Sequence, residues 1–284
     1  MQSDLTRHII ETLDGMDLGY DRTKAFLGQE GQKGARWQEA SVLMLISRDR
    51  HCAVPSGEEG RTKAPPGTEG CCFVLNKRSE TVPQPGDLCF PGGHPSFLAD
   101  RVISRVILPY LLPQRKQEAY VLARRRDPVT FSAIAKFLSL SLRECWEEMR
   151  VSPAHLLFLG ALPCYRMQTR NRIIYPMAAL LLPEARPRTG REIARNVHLS
   201  FARAFDDSAY GTYTLALTGK FRKVWGVDSV DMPCLLVKEE EGPDEVLWGA
   251  TYNILTRFLY SVFGYKPPDK GPVHVSADLY PGQA

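Results

Sequence analysis

The sequence predicts an α/β (α+β) protein in which a mixed β-sheet lies between helices, and three observations lead there. Short apolar runs that read as strands recur along the 284 residues, at 41–46, 71–78, 156–163, 173–182, 212–217 and 233–238. Segments that read as helices fall between and around them, at 3–13, 139–151, 191–205 and 245–264. Hydrophobic residues make up 44% and charged residues 24%, which is enough apolar material for a buried core and too little charge for disorder. Strands alternating with helices form a sheet covered by helices.

Taken in order, Leu5, Ile9 and Leu13 share one helical stripe, with Ser3 placed to cap it. A polar, Gly-rich passage then leads to the buried-strand run SVLMLI at 41–46. Residues 55–70 have turn and loop composition throughout. CCFVLNKR at 71–78 is the next strand, and VPQPGDLCFPGGH after it is a Pro/Gly loop. LLFLGALP and IIYPMAALLL are two strands joined by the polar turn YRMQTRNR, and REIARNVHLSFARAF (191–205) is expected to be helical. TYTLAL and PCLLVK follow as strands, and EVLWGATYNILTRFLYSVFG (245–264) is the strongest late helix, with Gly264 as its stop. The expected organisation is an N-terminal helical extension (1–35), a main domain (36–265) and a C-terminal tail (266–284).

Composition excludes several function classes. Thirty-six basic against 32 acidic residues give a net charge of +4, too mild for a nucleic-acid binder though suited to a small anion. The seven cysteines include no C-x-x-C pair and are odd in number, which disfavours zinc and a disulfide framework and points to reduced cytoplasm. MQSDLTRHIIETLDGMD has acids among its apolar residues, so no signal peptide is expected. No apolar run approaches the ~18 residues of a membrane span.

The segment with most chemistry is SLSLRECWEEMRV (139–151). Leu142, Cys145, Trp146 and Met149 recur at helical spacing and define an expected buried face. Glu144, Glu147 and Glu148 stand at i, i+3 and i+4 and cluster on another face. Three neighbouring carboxylates repel unless a cation intervenes: Arg143, four residues before Glu147, is one, and a hard divalent ion with oxygen ligands is the other. Taken alone, the pattern also describes an ordinary solvated acidic face. Upstream, DLCFPGGH (87–94) places Gly92 and Gly93 where backbone approaches something closely.

F-P-G-G followed by R-E-x-x-E-E resembles the two halves of the Nudix hydrolase box. Residues 73–93 resemble the segment typical of coenzyme A pyrophosphatases, with Lys77, Arg78, Ser79, Pro85, Gly86 and Phe90 to Gly93 matching. FLGALPCYRMQTRNRIIYPMAALL and VLWGATYNIL match later family segments in order, so the resemblance covers about residues 40–263. It implies the Nudix fold and a metal-dependent pyrophosphohydrolase. Coenzyme A or an acyl derivative would be split into 3′,5′-ADP and (acyl-)4′-phosphopantetheine, with Mg²⁺ or Mn²⁺ as cofactor. It further implies that Glu144, Glu147, Glu148 and the Gly93 carbonyl hold metal, and that Arg143, Glu147 and Glu148 are catalytic. Substrate contacts would come from Arg78, Gly92, Gly93 and His94. The implied partner is a small nucleoside diphosphate compound, not nucleic acid or membrane, and a homodimer is compatible. Two alternatives stay open: another nucleoside diphosphate substrate, or a Nudix-fold binding or regulatory protein that has lost turnover.

The chain departs from the family pattern in four ways. Gly93 and Arg143 are 143 − 93 = 50 residues apart, where the unbroken box spaces them by about 14, so roughly 36 extra residues intervene. The first box glutamate falls on Ala99, with Asp100 beside it as a substitute. The closing glycine is Arg150, so the usual helix stop is missing. Basic residues expected before Pro85 are replaced by ETVPQ (80–84), and Arg124 and Arg125, late in the insertion (about 101–137), are the candidates to replace them at a phosphate, alongside Arg126. Glu192 is a weaker catalytic candidate on the expected 191–205 helix, and Trp248 reads as core.

Overall fold

A computed structural model describes residues 4–48, 62–96, 116–217, 222–223, 226–238, 243–269 and 271–278. Its elements run in chain order α1 (Asp4–Gly15), α2 (Tyr20–Gln32), β1 (Gln38–Arg48), β2 (Cys71–Arg78), β3 (Leu88–Cys89) and β4 (Gly92–Gly93). Next come α3 (Glu118–Ala123), α4 (Pro128–Met149), β5 (Leu156–Ala161), β6 (Tyr165–Met167) and β7 (Arg172–Leu181). The last stretch holds β8 (Ile193–Ser200), α5 (Phe201–Ala204), β9 (Tyr210–Ala216), β10 (Ser229–Val237), β11 (Glu245–Trp248), α6 (Gly249–Phe263) and β12 (Val273–Asp278). The chain divides into two units, Met1–Arg48 with Phe90–Gly190, and Asp49–Cys89 with Arg191–Ala284.

In the first unit β1 and β7 run parallel, in register from Gln38↔Arg172 to Ile46↔Leu180. β7 also takes β5 and β6 antiparallel, and β4 pairs antiparallel with β1. Leu43 to Ile46 and Ile173 to Ala179 are buried almost without interruption, as strands covered on both faces must be. Helix α1 buries Thr6, Ile9, Ile10 and Leu13, as its stripe predicts. It rests on a bulge in β5, where Gly160 has φ +146° and a Cβ would come within 2.7 Å of Leu13 Cβ. Arg126 closes the C-terminal end of α1: its guanidinium donates to the carbonyls of Leu13 (3.0 Å) and Met16 (2.9 Å), and also to that of Asp14. Tyr20, at the start of α2, donates to the Leu162 carbonyl and meets Tyr175 edge-on.

In the second unit β2 pairs antiparallel with β3 and β8. A four-stranded sheet runs β11-β10-β9-β12, with β12 parallel to β9. Phe73 stacks on Phe201 at 4.5 Å and meets Phe258 of α6 edge-on, so aromatic packing joins strand and helices. Both units therefore combine parallel and antiparallel pairing with helices, which is the α/β (α+β) class with mixed sheets.

Five expectations change. The segment 191–205 is strand β8 followed by one short helical turn. Buried Ile193, Val197 and Leu199 mark alternate positions, and pairing with β2 from Cys72↔Ser200 decides the period. The first residues of the late helix, Glu245 to Trp248, are strand β11; the helix begins at Gly249 and stops at Gly264 in the left-handed conformation. The polar passage after α1 contains α2, and the tail contains β12. Cys72, buried in β2, is disulfide-bonded. An odd cysteine count argues against a framework, but it leaves a single bond open. No described helix is long and apolar enough to cross a membrane. Ser3, Ala99, Asp100 and the insertion up to residue 115 lie outside the described residues.

Candidate active site

The carboxylates sit on α4, which is longer than its apolar spacing indicates because its start is capped locally. Asp127 accepts hydrogen bonds from the backbone N–H of Val129 and Thr130, both at 3.0 Å, and Pro128 takes the first helical position. The Thr130 backbone bond is the main cause holding the Asp127 carboxyl below the usual aspartate value. Midway, Ser41 of β1 fastens the helix: its Oγ lies 2.6 Å from Ser141 Oγ and 3.0 Å from the Phe137 carbonyl. Phe137 stacks on Tyr175 of β7 at 3.6 Å.

The far end stops without a glycine. Arg150 adopts the left-handed conformation (φ 56°), and its N–H bonds to the Trp146 carbonyl. The N–H groups of Arg188 and Gly190 donate to the Met149 and Glu148 carbonyls at 2.8 and 2.7 Å. The expected loss of a helix stop is therefore corrected: a returning loop satisfies the last carbonyls that a glycine motif otherwise would. Leu142, Cys145 and Met149 are buried as expected, and burial, with Glu148 nearby, pushes the Cys145 thiol strongly up. Trp146 is not part of that face; it is 47% exposed.

The two halves of the split motif meet in this unit. β4 lies along β1 with Gly93 opposite Ser41 and Gly92 opposite Val42. A Cβ on Gly92 would press into the Ser41 carbonyl and reach 2.8 Å from Val42 Cα. A Cβ on Gly93 would sit 2.5 Å from the carboxyl carbon of Glu144. Gly92 is thus confined to glycine by the strand backbone, whereas at Gly93 the neighbour is the end of the Glu144 side chain. Arg143 binds the carboxylates together, with one amino group 2.9 Å from Glu144 Oε1 and the other 2.9 Å from Glu147 Oε2. It also donates to the His94 carbonyl at 3.3 Å. Glu148 is buried at 8% exposure, whereas the Glu147 side chain is 53% exposed. His94 turns its ring Nδ1 to the Glu39 carbonyl at 3.0 Å, so this nitrogen serves the loop's attachment to β1.

Of the remaining residues singled out by sequence, Arg124, Arg125 and Arg126 come just before α4, and Arg78, Glu192 and Trp248 belong to the other unit. Arg124 and Arg125 precede the first turn of α4; Glu144 is 144 − 128 = 16 residues further on, about 24 Å along the axis at 1.5 Å per residue. They do not reach the carboxylates, and Arg126 is engaged with the end of α1. Arg78 belongs to the other unit, where its Nε donates to the Pro83 carbonyl at 2.7 Å. Glu192 is exposed in the turn before β8, and its carbonyl accepts from the Ser79 N–H. Trp248 is half-buried and donates to Asp87 at 3.1 Å. Two features carried no sequence signal. Glu39 bonds Lys136 at 2.5 Å and the Tyr175 hydroxyl at 3.1 Å, and the loop Arg188–Gly190 seats on the end of α4.

As to a metal, the donors present are carboxylate and carbonyl oxygens, the type that hard divalent cations take. Among the described residues, however, no three His, Cys, Asp or Glu side chains stand close enough together to hold an ion. Arg143 occupies the position between Glu144 and Glu147.

No family model matches the sequence, and no curated protein matches it. Among solved structures, a C. elegans Ap4A hydrolase binary complex is similar at 13% identity and TM-score 0.33, over 61% of this chain and 88% of that one. The Nudix domain of Shewanella oneidensis NrtR, crystallised with ADP ribose, is similar at 12% identity and TM-score 0.32, over 64% and 84%. A bifunctional NMN adenylyltransferase/ADP ribose pyrophosphatase from Francisella tularensis is similar at 9% identity and TM-score 0.34, over 86% and 47%. Likeness at this level assigns the chain to no family.

Proposed function

We propose that the chain is a Nudix-type pyrophosphohydrolase that cleaves the diphosphate of coenzyme A or an acyl derivative with Mg²⁺ or Mn²⁺. The observation that carries this reading is the meeting of Gly93 with Glu144, two residues of one split motif that are 51 positions apart (144 − 93). Were Arg143 to give way between Glu144 and Glu147, those two carboxylates, Glu148 and the Gly93 carbonyl would hold the cation, which would supply Lewis-acid polarisation of the diphosphate. Arg143 holds two of the carboxylates in line, and its bond to the His94 carbonyl ties that alignment to the glycine loop. Glu147, the most exposed carboxylate, would accept the proton of the water that attacks phosphorus, as one P–O bond forms and the bridging P–O bond breaks.

Incubation with coenzyme A and Mg²⁺ or Mn²⁺, followed by chromatography, is expected to yield 3′,5′-ADP. Cleavage of a different nucleoside diphosphate compound in its place would move the substrate and keep the chemistry. The pairing of the carboxylates with Arg143, and the absence among the described residues of three acidic, His or Cys side chains grouped to hold an ion, favour a second reading, a ligand-binding protein without turnover. Tight binding of coenzyme A with no product from any diphosphate would establish it.

A further inference from the structure

We infer that Arg150 and Arg188 form a phosphate-binding clamp at the carboxylate end of α4, taking the charged oxygens of a nucleoside diphosphate. The inference rests on the functional reading above and names the groups that recognise its substrate. Arg150 ends the helix in the left-handed conformation, and the Arg188 N–H bonds the carbonyl of Met149, the residue before it. The main chain at Arg188 therefore runs beside the helix end at Met149 and Arg150, within a turn of Glu147 and Glu148. Both arginines are exposed, and neither guanidinium makes an ion pair among the described residues.

Their backbones are fixed, which distinguishes them from surface arginines on a loose loop. Gly190 donates to the Glu148 carbonyl at 2.7 Å, and a Cβ on it would come within 2.9 Å of that oxygen and 3.1 Å of the Glu147 carbonyl. The loop's path is set by close contact with the helix that carries the carboxylates. Arg186 contrasts with them: its guanidinium is spent on the Pro183 and Ala185 carbonyls at 2.6 and 2.7 Å.

Two adjacent cations repel each other, and the helix C-terminus relieves only part of that repulsion. A diphosphate relieves the rest, because guanidinium forks match phosphate oxygens. The same substrate faces three carboxylates nearby and needs cationic groups from the protein to approach them. ETVPQ (80–84) supplies none, and Arg124 and Arg125 stand at the other end of the helix.

The test is steady-state kinetics of Arg188→Ala, Arg150→Gly and Arg188→Lys on coenzyme A, with the double variant Arg124→Ala/Arg125→Ala as control. Each clamp truncation is expected to raise KM about tenfold or more with kcat within about twofold, the pattern of lost uniform binding. Lysine at 188 should recover part of the loss, the control should match wild type, and Tm should not fall in Arg188→Ala. An unchanged KM in Arg188→Ala and Arg150→Gly overturns the clamp. If wild type cleaves no diphosphate, the functional reading fails, and the clamp is judged by calorimetric titration with ADP and Mg²⁺. Affinity about tenfold weaker in Arg188→Ala supports it; equal affinity, or no binding by wild type, overturns it.

Discussion

The two ends of α4 are built by opposite means. Its beginning is local: Asp127 bonds two N–H groups within three residues of itself, and Pro128 fits the first turn. Its end is assembled from afar, by Arg188 and Gly190 donating to its last carbonyls and by Gly93 pressing on Glu144. Residues near the first end set where the helix starts. Residues at the second end are confined by one another, and every carboxylate of the proposed chemistry is there. A helix can thus be anchored by local chemistry at one end while long-range contacts at the other shape the site.

The sharpest way to break this contrast is Glu147→Gln. It removes a charge from a half-exposed side chain and leaves volume unchanged, so stability should stay within about 0.5 kcal/mol. Turnover of coenzyme A should fall at least about 100-fold, as expected for a proton acceptor or metal-holding group. Retained activity would detach the chemistry from this end of the helix.

The glycine pair separates structure from chemistry within three atoms of each other. Gly92→Ala drives a methyl into the backbone of β1, which cannot retreat, and should destabilise by about 1–3 kcal/mol. Gly93→Ala meets only the tip of the Glu144 side chain, which can swing away. Its stability loss should stay under about 1 kcal/mol in denaturant melts, while activity falls by an order of magnitude or more because the Arg143–Glu144 pair is disturbed. Equal effects of the two substitutions on stability would show that the Glu144 contact is as rigid as a strand.

Arg150→Gly probes the end itself. A side chain in the left-handed region costs roughly 1–2 kcal/mol, partly offset by the entropy a glycine adds to the unfolded chain. The net expectation is a gain of up to about 1 kcal/mol in thermal or denaturant unfolding. A more stable variant with a higher KM would show that the strained arginine is kept for binding.

The same contrast explains what the sequence revealed. The α1 stripe, the strands at 41–46, 71–78 and 173–182, and the Gly264 stop all depend on neighbours within a few residues, and they appear where their patterns place them. Segment 191–205 reads as a helix in sequence because its polar residues support either period, and only pairing with β2 selects the strand. Trp146 falls off the buried face because Leu142, Cys145 and Met149 already fill it. The Glu144–Gly93 approach could be expected only through the family resemblance, since no local rule joins residues about fifty apart. Arg188 and Gly190 could not be read at all: their role consists of two backbone bonds to a helix end nearly forty residues upstream.

The smallest effect is expected at the local end. Asp127→Ala removes the cap of α4, and the Tm of the whole chain should drop by a few degrees at neutral pH. The Asp127 carboxyl is held below its ordinary value of 3.8 by the Thr130 and Val129 N–H groups, so the folded state favours the ionised form. A carboxyl depressed by folding contributes stability above its unfolded pKa and loses it as pH falls through the folded value. The difference between wild type and Asp127→Ala should therefore be constant above about pH 5 and shrink as pH falls below 3.8. Melts across that window check it. Activity at pH 7 should be unaffected at temperatures well below either Tm, because the substitution lies about 24 Å from Glu144. A loss of turnover there would mean that the two ends of the helix are not independent, and that the carboxylates depend on where the helix begins.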